Sequence, residues 1–385
     1  MESSKLNIII ETKPLVHALS FANSVIEKRN AVAELSNIKL SVKDNFLEII
    51  ATNMDLYLSQ TLGIQEFSSG ETTVSINTLM DIVKKIPDKE IKLNIQEDSD
   101  MLEITGKNCQ FSLLTLPVNK FPMVGDVKAE SMLKISCRDF AKLIEYTLFS
   151  TSSDENRYNI NGIYLHVKDG KFCSASTDGH RVSISSTIIE SKTLEFGVIL
   201  PQKTSEEILK IIRDPKNIQS DIEILLSINK IKFICGDIEL VSKLIDGVFP
   251  GYSDFIPKEN NNKLTINTKL LAETIDRVSS ITVDKFRAIK IILTKDMVEI
   301  TASGESRGVG KEVILSSEED DNFCQFDSDS DITIGFNPKY LIDVFNAIKL
   351  NHHKVEIYFN DESSPILIKA PNNDLDSFII MPVKV

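Results

Sequence analysis

Leu6-Asn-Ile-Ile-Ile-Glu-Thr-Lys-Pro-Leu-Val16 begins as a strand, with a short β-branched apolar run, and ends as the first turn of a helix. The same join recurs as Leu133-Lys-Ile-Ser-Cys-Arg-Asp-Phe-Ala141 and Leu264-Thr-Ile-Asn-Thr-Lys-Leu-Leu-Ala272, starting 127 and 131 residues further on. A second signal follows each copy. Asn37-Ile-Lys-Leu-Ser-Val-Lys-Asp44, Gly162-Ile-Tyr-Leu-His-Val-Lys-Asp169 and Ala288-Ile-Lys-Ile-Ile-Leu-Thr-Lys295 each read as a strand that turns into further β-rich sequence. A second helix is expected at 77–86, 202–213 and 337–350, and closing strands end in Thr115-Leu-Pro-Val-Asn-Lys-Phe-Pro122, Leu244-Ile-Asp-Gly-Val-Phe-Pro250 and Phe378-Ile-Ile-Met-Pro-Val383. The chain therefore reads as three copies of one pattern, a period to be found before any motif is weighed.

Each copy runs strand, helix, strands, then strand, helix, strands, so the expected class is α+β with helices on antiparallel sheet. Boundaries are expected near the Pro-rich and polar joins, giving repeats 1–129, 130–257 and 258–385. The six helices (12–29, 77–86, 136–149, 202–213, 267–280 and 337–350) carry one apolar stripe each, such as Leu15, Ala18, Ala22 and Val25, or Ile208, Ile211 and Ile212. One face packs down and the other is left for solvent or a ligand.

With 385 residues, 42% of them hydrophobic and 26% charged, the chain has enough apolar surface for several cores and too much for a disordered polymer. It holds no apolar run long enough to span a bilayer, and its start lacks a signal-peptide pattern, so a cytoplasmic location is expected. Five separated cysteines without a Cys-x-x-Cys pair fit reduced thiols and offer no zinc framework.

The net charge is −13, yet the six expected helices together carry +5, leaving −18 for everything else. Lys28, Arg29, Lys84, Lys85, Lys203, Lys210, Arg213, Lys339 and Lys349 sit at or near helix ends. Helix-dipole preference accounts for such placement; helices gathered around nucleic acid would add weak, sequence-blind phosphate contact. The opposite extreme is 316–331, seven acids and no base, which reads as an exposed loop that repels phosphate.

The densest polar cluster is Ser176-Thr-Asp-Gly-His-Arg181. Asp178 and His180 could be an acid–base pair, but no nucleophile elbow, phosphate loop or metal spacing accompanies them. Asp178-Gly179 reads more simply as a turn between strands. No catalytic residue, metal or cofactor is expected. The apolar end, Phe378 to Val385, fits a final buried strand, an apolar rim at Met381-Pro382-Val383 suited to varied peptides, or both.

Taken together, Thr177-Asp-Gly-His-Arg181, Arg157-Tyr-Asn-Ile-Asn-Gly162, Lys243-Leu-Ile-Asp-Gly-Val-Phe-Pro250, Asp284-Lys-Phe-Arg287 and Met381-Pro-Val-Lys-Val385 resemble the bacterial sliding clamp, the beta subunit of DNA polymerase III. The resemblance covers the whole chain. It implies a head-to-tail homodimer of six similar domains closed into a ring, helices inside and sheets outside. Such a ring encircles double-stranded DNA without sequence specificity and without catalysis, is opened by a clamp loader, and tethers the replicative polymerase and repair factors through short peptide motifs. It implies DNA contacts at Arg29, Arg157, Tyr158, Gln202 and Lys203. The implied peptide groove comprises Ile160, Thr177, Gly179, His180, Arg181, Val182, Pro250, Phe255, Ile379, Met381, Pro382 and Val383. The dimer junction would hold Phe111, Leu113 and Ile281, joined by pairing of edge strands. Two positions depart from the family's pattern: Asp254 stands where many relatives carry a base, and the chain ends Lys384-Val385 where Arg-Leu is more frequent.

Overall fold

The strand-to-helix joins form as the residue pattern requires. The computed structural model describes residues 4–27, 32–96, 99–123, 125, 127–189, 195–282, 288–304, 308–328 and 330–385. Among them are six α-helices: α1 Thr12–Val25, α2 Ile76–Lys85, α3 Cys137–Leu148, α4 Gln202–Arg213, α5 Thr268–Ser279 and α6 Pro338–Ile348. Several start on side-chain caps. Ser136 Oγ accepts from the Asp139 amide (3.0 Å), Asn267 Oδ1 from Leu270 (3.0 Å) and Asn337 Oδ1 from Lys339 (3.1 Å), satisfying amides that a first turn leaves unpaired. The expected stripes are buried: Ile208, Ile211 and Ile212 are each within 1% of full burial, and each contributes roughly 1.5–3 kcal/mol over an exposed position.

One helix is shorter than its pattern. α1 ends at Val25, because Ile26 turns extended (φ −76°, ψ 134°) and buries its own side chain. Lys28 and Arg29 lie outside the described residues, as does the Asp284–Arg287 motif.

The chain divides into two compact units. The first comprises Met1–Phe140 and Lys203–Leu244. Among the described residues its 13 strands form one antiparallel sheet, from Ser131–Ser136 at one edge to Gln65–Ser68 at the other, and α1 packs on α2 and on three of those strands. The second comprises Ala141–Gln202 and Ile245–Val385. It holds a nine-stranded and a four-stranded antiparallel sheet, with α5 and α6 packed together over a core that includes Leu271, Ile275, Leu341 and Phe345. Residues of the expected middle repeat are thus shared between the two units.

Each unit contains a strand pair that joins two repeats. In the first, Leu56–Gly63 pairs with Ile238–Lys243, Leu56 opposite Ser242. In the second, Arg181–Ile188 pairs with Asp376–Ile380, Arg181 opposite Ile380.

Two expectations change. The acidic segment 316–331 is not a plain loop: it contains a 3-10 turn, Asp320–Asn322, and a strand, Cys324–Asp327, paired with Asn262–Asn267. Cys324 and Phe326 alternate with Gln325 and Asp327, a two-residue period that buries the apolar pair and was hidden by the charge count. Cysteines far apart in sequence also meet, with Cys137 Sγ 3.6 Å from Cys235 Sγ. That separation is well beyond a disulfide bond, and all five cysteines are free thiols. Burial, with Cys137 adjacent, pushes the Cys235 thiol up to about 12, which keeps it protonated and unreactive.

Candidate functional site

The Ser176–Arg181 segment is a turn built by its own side chains. It joins the strand Lys171–Thr177 to Arg181–Ile188. Thr177 Oγ1 donates to the Arg181 carbonyl (2.7 Å) and accepts from the Gly179 amide (3.1 Å). Asp178 Oδ1 accepts from the amides of His180 (2.9 Å) and Arg181 (3.1 Å). Gly179 sits at φ +92°, a left-handed conformation that glycine adopts without a Cβ penalty. The Asp178 carboxylate therefore serves the backbone, and its second oxygen serves Arg181, so it does not orient the His180 imidazole as a general base would require.

Arg181 is 6% exposed, and every part of its guanidinium is used. Nε donates to Asp178 Oδ2 (3.0 Å), Nη1 to Asp343 Oδ2 (2.8 Å) and Nη2 to the Phe149 carbonyl. The plane lies over the Tyr340 ring at 4.5 Å and the Phe149 ring at 5.3 Å. A buried cation is tolerated only when paired and hydrogen-bonded in this way.

Above the turn opens a cavity of about 260 Å³. Of the residues expected to form a groove, Ile160, Thr177, Gly179, His180, Arg181, Val182, Pro250, Phe255, Ile379 and Met381 line it. Pro382 and Val383 do not. Met381 N donates to the His180 carbonyl and Val383 N to the Gly335 carbonyl, both at 2.9 Å, so the chain leaves the cavity after Met381 and runs over Gly335. A Cβ at Gly335 would collide with the Val383 carbonyl, so this route needs glycine there.

The walls are anchored from below. Val182 and Ile379 pack with Leu367, and Ile160 packs with Ala175, Ile199 and Phe249. The segment carrying Pro250 and Phe255 is held by Tyr252, whose hydroxyl lies 2.9 Å from His166 Nε2. Burial, then Lys168, pushes the His166 imidazole below its usual range, favouring the neutral ring that can share a hydrogen bond with a phenol.

Asn159 and Arg157 complete the lining. Arg157, expected at DNA, donates Nε to Asp154 Oδ2 (3.0 Å) and Nη2 to the Asp178 carbonyl (3.2 Å). The Asn156 amide and then the Arg157 guanidinium hold the Asp154 carboxyl below the usual carboxylate range. Tyr158 beside it is exposed. Gln202 and Lys203 stand in the first turn of α4. Lys203 Nζ lies 2.7 Å and Lys210 Nζ 2.9 Å from the same oxygen of Glu207, a carboxylate 1% exposed that also accepts from Ser24 of α1. Two ammonium groups over one buried carboxylate leave that helix face net positive.

Phe111 and Leu113 lie on the strand Gln110–Leu116. Its residues 110–114 pair with Met101–Thr105 on one side, and its other side is paired only at Thr115 and Leu116. Among the described residues the remaining edge is open, with Phe111 and Leu114 exposed. Ile281 follows α5, half-buried against the core. Among the described residues, a second open edge belongs to Gly308–Leu315, which pairs only with Met297–Gly304 and exposes Val309, Val313 and Leu315. Those three escaped the sequence reading, although Val-x-x-x-Val-x-Leu places them all on one face of a strand.

Among the described residues, no group of three or more His, Cys, Asp or Glu is placed to hold a metal ion, and no helix is long and apolar enough to cross a membrane.

Residues 6–125, 134–251 and 253–384 match, in order, the N-terminal, central and C-terminal domains of the DNA polymerase III beta subunit. A protein named Beta sliding clamp from Rickettsia bellii is 57% identical over 381 residues, 99% of this chain and 100% of its own. Its namesake in Caulobacter vibrioides is 31% identical over 99% of this chain and 100% of its own. Among solved structures, a Pseudomonas aeruginosa sliding clamp (DNA polymerase III subunit beta) bound to griselimycin superimposes with a TM-score of 0.91 at 26% identity, covering 99% of this chain and 100% of that one. A C. crescentus beta sliding clamp does so at 0.91 and 30%, covering both chains completely. With all three domain matches in order and near-complete coverage of both partners, the chain belongs to the DNA polymerase III beta subunit family, the bacterial beta sliding clamps.

Proposed function

We propose that this protein works as its relatives are named: two copies join head to tail into a ring that encircles duplex DNA in the bacterial cytoplasm and tethers the replicative polymerase. The observation that carries this is the 57% identity to a beta sliding clamp along essentially the whole of both chains. The repeats 1–129, 130–257 and 258–385, taken from two copies, would be its six ring segments, a division supported by the three ordered domain matches, the last of which begins at 253.

The open edges of Gln110–Leu116 and Gly308–Leu315 support the closure. One belongs to the first repeat and the other to the third, each with unpaired backbone and exposed apolar side chains. A head-to-tail contact repeated by two-fold rotation would satisfy both at once. Phe111, Leu113 and Ile281 would pack at or behind that seam. Retention then comes from topology, and tight DNA contact would only slow sliding. Gln202 and Lys203, with Arg29, Arg157 and Tyr158, would touch phosphates and ignore bases, which leaves sequence unread. The pairing of Lys203 with Glu207 and of Arg157 with Asp154 supports weak contact rather than strong.

The cavity at Met381 would receive short peptide segments of the polymerase, the clamp loader and repair factors. Its apolar lining with a few fixed polar groups has the character of a ligand pocket, and Met381 adds an adaptable thioether. Pro382 and Val383 would act at its rim. The role requires no catalytic group, and the use of Asp178 for backbone amides supports a non-enzymatic site.

Negative-stain electron microscopy of the purified protein tests the ring without any partner. The expected particle is a six-lobed ring with an open centre; isolated three-lobed arcs at concentrations far above cellular ones would overturn the closure.

A further inference from the structure

The turn that walls the Met381 cavity is built twice. Thr52-Asn-Met-Asp-Leu56 matches Thr177-Asp-Gly-His-Arg181 hydrogen bond for hydrogen bond. Thr52 Oγ1 donates to the Leu56 carbonyl (2.8 Å) and accepts from the Met54 amide (3.0 Å). Asn53 Oδ1 accepts from the amides of Asp55 (3.1 Å) and Leu56 (2.8 Å). Met54 stands at φ +79° where Gly179 stands at +92°. The closing strand repeats as well: Lys243 N donates to the Asp55 carbonyl at 2.9 Å, as Met381 N does to His180. Val241 faces Tyr57 as Ile379 faces Val182. The connector repeats too, with Phe121-Pro122 in place of Phe249-Pro250.

A second cavity of about 220 Å³ opens at this copy, lined by Met54, Pro122, Met123 and Val241 with Lys230 and Lys243. Two differences set its chemistry. Leu56 replaces Arg181, so no guanidinium sits at the base of the turn, and the cations stand at the rim instead. Lys243 is paired with Asp55 (2.8 Å), whereas Lys230 has no ion pair among the described residues. Met54 and Met123 are 52% and 59% exposed, two flexible thioethers at one mouth. A non-glycine residue held at positive φ is disfavoured, and such strain concentrates at ligand sites.

We propose that this junction of the first and second repeats is a second docking groove, for a short linear peptide that presents an apolar side chain next to a carboxylate. The apolar group would enter between Met54, Met123 and Val241, and the carboxylate would meet Lys230 across a charge-complementary rim. The inference rests on the reading that the Met381 cavity takes peptides, and goes beyond it in place and in preferred charge.

Methionine-methyl NMR of the full-length protein reads both grooves in one spectrum. The probe is the capped peptide acetyl-Asp-Leu-Leu-Asp-amide. The expected result is a saturable shift of the Met54 and Met123 methyl signals, with affinity weakened roughly fivefold by Lys230→Glu and by added salt. Unmoved Met54 and Met123 signals overturn the proposal. If Met381 shifts in that same titration, only the second groove is lost; if Met381 is also unmoved, the reading beneath it fails too. Shifts indifferent to Lys230→Glu overturn it as well, since they would be apolar contact without the stated recognition.

Discussion

The turns Thr52–Leu56 and Thr177–Arg181 share a backbone and differ in what they carry. In both, a threonine hydroxyl and an Asn or Asp side-chain oxygen satisfy the same four backbone groups, so the first two positions set the path. The third and fifth positions then decide the chemistry. Glycine at the third leaves the cavity open beside Arg157; methionine there fills the mouth of the other. Arginine at the fifth needs two carboxylates, a carbonyl and two aromatic faces, whereas Leu56 needs only apolar neighbours and is 2% exposed. A repeated fold thus keeps a scaffold by hydrogen bonding and changes its use by two side chains.

The largest effect should come from making the second turn like the first at its fifth position. Arg181→Leu leaves Asp178 and Asp343 without their shared cation at a partly buried site. We expect a loss of about 3–5 kcal/mol of stability, read from urea unfolding. Adding Asp343→Asn to that variant should recover part of it, because one stranded charge is removed. A loss under about 1 kcal/mol would mean that the arginine cluster is no more demanding than Leu56, and the contrast between the turns would fall.

Exchanging the third positions is the smaller test. Gly179→Ala forces a Cβ into the left-handed region, 2.8 Å from Arg157 Nη1, and should cost about 1–2 kcal/mol. Met54→Gly relieves the same conformation at an exposed site while loosening the unfolded chain, so the two effects should nearly cancel, within about 1 kcal/mol. Thermal melts of the two variants should therefore move unequally. Equal destabilisation would show that Met54 is packed into its turn as tightly as the second turn is packed around Gly179.

Much of this was legible in the sequence because it is local. The strand-to-helix joins, the six apolar stripes and the Asp178-Gly179 turn each follow from residues within a few positions of one another. The partners of Arg181 were not legible: Asp343 lies 162 residues away and Phe149 contributes a carbonyl, which no side-chain pattern announces. A separation of 98 residues likewise hid the approach of Cys137 to Cys235. The resemblance groups Pro382 and Val383 with Met381 in the groove; the bond from the Val383 amide to the Gly335 carbonyl, which sets the path of the chain beyond Met381, is a long-range contact that no local pattern announces. The kinship of the two turns was obscured for a different reason, since Asn-Met-Asp-Leu and Asp-Gly-His-Arg share little except the oxygen at their first residue.

The central claim is retention by encirclement, and the most direct measurement compares one loaded sample on two DNA topologies. The protein is placed on nicked circular duplex by a bacterial clamp loader with ATP, freed of unbound protein, and followed before and after a single cut linearises the circle. The account predicts long residence on the circle and prompt loss once ends exist, with little dependence on salt before the cut. Equal residence on circular and linear DNA would contradict it, because the protein would then be held by contacts rather than by its ring.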